Sequence, residues 1–198
     1  MSEEIREIRG RALPIARDDV DTDQIVPARF LKAITFEGME KTLFCDERER
    51  TPDHPIDNPD YRGARLLFAG RNFGSGSSRE HAPQAIMRHG IEAIVGISFG
   101  EIFAGNCQAI GVPILTASPE EMQTLFAHTQ KNPGTEYTAD LEDLTLAWGE
   151  EMVALGMLEE RRQSFLKGTW NVISTLKANL PRVREVAGKL PYISNFEV

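Results

Sequence analysis

The hydrophobic and polar positions are most regular in the middle of the chain. Residues 64–69 (ARLLFA) form a short apolar run suited to a strand buried on both faces. A glycine-rich loop follows, then a helical pattern that stops near Gly90, a natural left-handed residue just past a helix end. Residues 91–97 (IEAIVGI) read as another buried strand. Residues 99–110 space Phe99, Ile102, Phe103 and Ile110 along one helix face, and Gly111 closes it. Residues 112–115 make a third short strand. Ser118-Pro119-Glu120-Glu121 is a capping box with proline at the first helical position, and its helix carries Met122, Leu125 and Phe126 on one side. Strand and helix alternating in this way predict an α/β layer with mostly parallel strands.

The flanks are less regular. Residues 5–15 alternate as an early strand. Residues 18–30 (DDVDTDQIVPARF) hold four aspartates in six residues and then Pro27, and read as an ordered loop. Residues 36–44 suggest a short amphipathic helix, and 45–63, with three prolines and many charges, a long surface loop. Residues 136–148 alternate as one or two strands and 151–155 as another, which makes the pairing mixed. Residues 158–167, 169–179 and 182–189 look helical, broken at Gly168 and Pro181. The expected organisation is one domain over 1–198, with a core at about 5–155 and a helical C-terminal extension at about 156–198.

Composition narrows the function. A chain of 198 residues buries roughly 70% of its unfolded surface and needs no staples. The net charge of −8 argues against nucleic acid and anionic membranes, which call for a basic footprint. Cys45 and Cys107 are far apart and form no CxxC pair, so neither a disulfide framework nor a self-contained zinc or iron–sulfur site is expected. The acidic start, MSEEIREIRG, is unlike a signal peptide, and no apolar run approaches the ~18 residues of a membrane span. The expected location is the cytoplasm.

The chemistry concentrates in GRNFGSGSSREHAPQ, residues 70–84. No lysine follows the last glycine, so it is not a Walker A loop. Gly74 and Gly76 fit the first two positions of a dinucleotide fingerprint, but Arg79 stands where the third glycine belongs. No serine is flanked by glycines in the pattern of a hydrolase elbow. What remains is a turn whose glycines could aim amides inward as an anion nest, with Ser77, Ser78 and Arg79 at or just before a helix that holds Pro83 in its first turn. A helix start and an arginine fork together suit a small carboxylate. Two readings stay open on the residues alone: a carboxylate site, or a serine that merely caps the helix beside an arginine paired with Glu80 or solvent.

GRNFGSGSSREHAPQAI, a strand, then SFGEIFAGNCQAIGVPIL closely resemble the small subunits of 3-isopropylmalate dehydratases, the swivel domain of the aconitase superfamily made as a separate chain. VDTDQIVPARFLK is similar to the family's other signature segment, and GTWNVISTL and LPYISNF resemble the tail of some bacterial members. The resemblance implies an α/β swivel-like fold with a mixed, barrel-like sheet flanked by helices and a helical C-terminal tail. It implies interconversion of 2-isopropylmalate and 3-isopropylmalate through an unsaturated diacid in leucine biosynthesis, or the same machine acting on a methylmalate, a dimethylmalate or homoaconitate. A 4Fe-4S cluster would sit in a large partner subunit, with no metal bound by this chain. By the same likeness Ser77 is the general base, Ser78 and Arg79 bind the substrate carboxylate, and Gly74 and Gly76 give close backbone approach. Lys32 would lie near the substrate's variable group. Asp21, Thr22, Asp23 and His81 would support the loop, the first three equally readable as a turn of Asx hydrogen bonds.

Overall fold

The computed structural model describes residues 3–32, 35–76, 80–190 and 192–193. Its centre is a seven-stranded mixed sheet. The strands are β1 (Glu7–Ile15), β2 (Leu66–Ala69), β3 (Ala93–Gly96), β4 (Ile114–Thr116), β5 (Glu136–Asp140), β6 (Thr145–Trp148) and β7 (Glu151–Ala154), in the order β4-β3-β2-β1-β5-β6-β7. β1 belongs to two regimes. Its end pairs parallel with β2 (Ala12 with Leu66, Ile15 with Ala69), and its start pairs antiparallel with β5 (Glu7 with Asp140, Arg11 with Glu136). β2, β3 and β4 continue the parallel half, and β5, β6 and β7 the antiparallel half.

The edges of the sheet meet. Thr116 N–H donates to Gly156 O at 2.8 Å, and Gly156 N–H donates back to Thr116 O at 2.7 Å. That single bridge curls the sheet into the barrel-like form expected of the swivel fold.

β2 explains why the sheet must be covered on both faces. Leu67 and Ala69 join one core, with Leu13, Phe73 and Phe103; Leu66 and Phe68 join the other, with Tyr137, Trp148 and Phe165. Alternate residues point opposite ways in a strand, so an all-apolar run buries both sides. The first face is covered by α3 (His81–Arg88) and α4 (Glu101–Ala109), the crossovers to β3 and β4; on the second face, buried Met122 and Leu125 of α5 (Pro119–Lys131) join the core. Ser118 caps α5 in a full capping box with Pro119 following, and Gly90 and Gly111 close α3 and α4 at positive φ, all as the sequence predicts.

Four expectations change. The aspartate segment is not wholly loop: Asp21 caps a one-turn helix, α1 (Thr22–Ile25). Residues 36–44 do not form an amphipathic helix, because left-handed Gly38 and Phe44 confine regular structure to a 3-10 turn at Met39–Thr42. The 45–63 loop holds one α-helical turn, α2 (Cys45–Arg48), a 3-10 turn at Pro59–Tyr61 and the ion pair Arg48–Asp57. After α6 (Glu159–Leu166) and α7 (Val172–Ala178), Pro181 opens a helix rather than breaking one: α8 (Leu180–Ala187) has proline in its first turn, where no N–H is needed. Among the described residues, no helix is long and apolar enough to cross a membrane.

Candidate active site at the carboxyl ends of the parallel strands

The glycine loop leaves the carboxyl end of β2, the end at which open α/β sheets place their ligands. It is held from both sides by the segments that leave β1 and β3. Gly74 N–H and Ser75 N–H donate to Val20 O at 2.8 and 3.2 Å, and Thr22 N–H donates to Ser75 O at 2.8 Å. On the other flank Phe73 N–H donates to Ser98 O and Gly100 N–H to Phe73 O, each at 3.0 Å. Isolated bridges Asp21–Ser75 and Phe73–Phe99 thus carry the parallel pairing of β1, β2 and β3 beyond the strands.

Side chains complete the lacing. Asp18 Oδ1 accepts from Arg71 N–H at 2.7 Å, Asn72 N–H donates to Ser98 Oγ at 2.9 Å, and Asn72 Nδ2 donates to Asp19 Oδ1 at 2.8 Å. The amides of residues 71–75 are therefore spent inside the protein. That corrects the anion-nest reading for these five residues: the neighbouring strand ends take the donors a ligand would have needed.

Gly74 and Gly76 have φ of +74° and +97°, a region L-side chains avoid. What they admit on the Cβ side is the chain itself. A Cβ on Gly74 would clash with the Cγ end of the Phe103 ring, and one on Gly76 would stand 2.9 Å from Asp21 Cγ. Phe103 in turn packs edge-on against Phe73, with ring centroids 5.6 Å apart.

Asp21 caps a helix and touches the glycine loop. Its Oδ1 accepts from Asp23 N–H at 2.6 Å and its N–H donates to Gln24 Oε1 at 2.7 Å, which caps α1. Its backbone also bridges to Ser75, so the cap and the glycine loop share one residue. Thr22 is buried and Asp23 exposed. Lys32 is exposed at the end of a 3-10 turn, Ala28–Lys32, anchored by the Arg29–Asp46 ion pair.

Ser77, Ser78 and Arg79 lie outside the described residues. Glu80 is the N-cap of α3, with no side-chain cap bond. Pro83 sits in the first turn, as foreseen. His81 is the first helical residue, its ring edge-on to Phe36 at 5.2 Å between centroids.

Asn72, Ser98 and Phe103 are the site residues the sequence reading missed. Asn72 did leave a signal: asparagine tolerates the left-handed region, and here its φ is +54°. Cys107 is fully buried in α4, where burial pushes its thiol well above the usual range; Cys45 lies half-buried beside Asp46. Neither environment favours the thiolate that a metal requires, and among the described residues no group of three or more His, Cys, Asp or Glu could hold an ion.

This architecture has known relatives. The family model for the aconitase C-terminal domain matches residues 2–120. The 3-isopropylmalate dehydratase small subunit of Thermus thermophilus is 44% identical over 97% of this chain and 98% of its own length. The chain belongs to this family. The small subunit of a Synechocystis strain is 41% identical over 96% of both chains. The crystal structure of a 3-isopropylmalate dehydratase from Methanocaldococcus jannaschii superposes on this aconitase C-terminal domain with a TM-score of 0.68 at 25% identity, over 90% of this chain and 99% of that one. The laced glycine loop thus belongs to an aconitase-type swivel fold rather than to a nucleotide-binding or hydrolase fold.

Proposed function

We propose that this chain is the small subunit of a heteromeric hydro-lyase. It interconverts 2-isopropylmalate and 3-isopropylmalate by loss and re-addition of water through 2-isopropylmaleate, in cytoplasmic leucine biosynthesis. The observation that carries the reading is the 44% identity to a small subunit of this enzyme, spread over nearly the whole of both chains.

In this reading Ser77 takes the proton from the carbon beside a substrate carboxylate and returns it on re-addition. A serine alkoxide is a strong base, and serves only where dipoles and positive charge stabilise the oxyanion. Arg79 clamps the carboxylate through its planar fork, and Ser78 hydrogen-bonds it. Gly74 and Gly76 shape the loop's approach to the substrate, Asp21, Thr22 and Asp23 hold it from the β1 side, His81 supports it from α3, and Lys32 lies toward the variable alkyl group. The two cysteines do not fit as ligands of a 4Fe-4S cluster, so the cluster is assigned to the large partner subunit, and no step is built on it here.

The test is co-expression with a cluster-bearing large subunit, followed by assay across 2-alkylmalates and homoaconitate. Turnover only in the mixture, fastest on isopropylmalate, supports the reading. A preference for methylmalate, dimethylmalate or homoaconitate keeps the machine and changes the substrate. No turnover of any 2-hydroxy diacid overturns it.

A further inference from the structure

Among the described residues, two buried side-chain atoms lack a hydrogen-bond partner: His81 Nε2 and Gln84 Oε1. Both belong to the first turn of α3, directly after the glycine loop, and positions three apart share a helix face. Buried polar atoms are nearly always paired in native proteins, and exceptions call for an explanation. Pairing is met elsewhere in this one: Thr129 Oγ1 meets Tyr137 Oη at 2.6 Å, and Thr42 Oγ1 donates to Met39 O at 2.7 Å. The defect is therefore local to the helix start.

The two orphans differ. The Gln84 amide is already anchored, because its Nε2 donates to Glu80 Oε1 at 2.8 Å. The His81 ring has no hydrogen bond to a described residue. Its ring is held by shape, edge-on to Phe36 with an interplanar angle of 76°, and Phe36 packs on the core that contains Phe73 and Phe103. The imidazole is thus fixed in direction while its buried nitrogen has nothing to meet. A buried, unpaired nitrogen destabilises the state that contains it and favours any state that pairs it.

We infer that His81 is a positioning residue for the hydro-lyase. Its Nε2 gains a partner only in the assembled, substrate-loaded enzyme, and that bond holds the first turn of α3 in the reactive arrangement. The inference rests on the hydro-lyase reading above. It separates stability from activity: the nitrogen costs the free chain stability and serves the loaded enzyme.

The experiment uses three variants of the full chain, each assembled with the cluster-bearing large subunit. His81→Phe keeps a flat ring against Phe36 but has no nitrogen. His81→Gln places an amide near Nε2, and His81→Asn places one near Nδ1. Expected are a kcat lower by about tenfold or more for His81→Phe and His81→Asn, a KM within about twofold, and recovery to within about threefold of wild type in His81→Gln. The free His81→Phe chain should melt at or above the wild-type temperature. Wild-type kcat in His81→Phe, equal loss in the Asn and Gln variants, or a melting temperature that falls along with activity would each overturn the inference. Failure of wild type itself to turn over any 2-hydroxy diacid overturns the hydro-lyase reading and this inference with it; equal kcat in an active wild type and in His81→Phe overturns the inference alone.

Discussion

Gly76 and Asp21 meet with no room for another carbon between them. A Cβ on Gly76 would stand 2.9 Å from Asp21 Cγ, while Asp21 caps α1 and bridges to Ser75. The site loop is thus locked to the segment leaving β1 by a steric contact as well as by hydrogen bonds.

Gly76→Ala should therefore both strain the backbone at φ +97° and push on Asp21. The expected cost is about 1–3 kcal/mol in urea unfolding, with a loss of turnover in the assembled enzyme. Asp21→Ala removes a cap at about 1 kcal/mol. It also removes the obstacle, so the double variant should be more stable than the sum of the singles predicts, by about 0.5 kcal/mol or more. Strict additivity would show that the contact is not felt.

Stability should fall in mild acid. Burial pushes His54 below the ordinary histidine range despite Glu47, whose Oε2 lies 3.8 Å from its Nε2; burial, then Arg48, does the same to His89. The unfolded chain then binds these protons more readily than the folded one. Their contribution is complete above the unfolded value of 6.5 and is lost as pH falls toward the folded values. The urea midpoint should drop between about pH 7.5 and 5.5, and His54→Phe should flatten that slope.

The edge-to-edge bridge should be measurable by hydrogen exchange. The amides of Thr116 and Gly156 each donate across it, so both should be protected beyond those of residues 157 and 158. A Cβ on Gly156 would stand 2.6 Å from Thr116 Oγ1. Gly156→Ala should speed exchange at both amides and leave Ala93–Gly96 protected.

Ser77→Ala should leave folding and assembly intact and remove nearly all turnover; retained turnover would remove Ser77 as the base. Arg79→Lys should raise KM for the diacid, because an ammonium cannot reproduce a two-pronged guanidinium contact. Unchanged kcat and KM would count against the clamp.

Local pattern made much of this legible. The apolar run around Leu66–Ala69, the proline-bearing cap at Ser118 and the glycines at 90 and 111 follow rules that act within a few residues, and each holds. The spacing at 36–44 misled because hydrophobic period says nothing about Gly38 and Phe44 turning left-handed. Long-range lacing was hidden for a different reason. Val20 O accepts from Gly74 and Ser75, more than fifty residues away, and no local signal marks such a partner. For the same reason the glycines looked made for a ligand, when their Cβ faces meet Phe103 and Asp21. The loop's place at the end of a buried strand was readable from its residue types; the uses of its amides were not.

The double membership of β1 has a consequence in time. Every strand of the parallel, site-bearing half comes from residues 12–116, whereas the start of β1 waits for residues 136–140 to complete its antiparallel pairing. During synthesis at about 5–20 residues per second, the nascent chain can lace its glycine loop seconds before the other half of the sheet exists. Until β5 emerges, Glu7–Arg11 is an open strand edge. Its three charged residues, Glu7, Arg9 and Arg11, stand guard there against pairing with another chain.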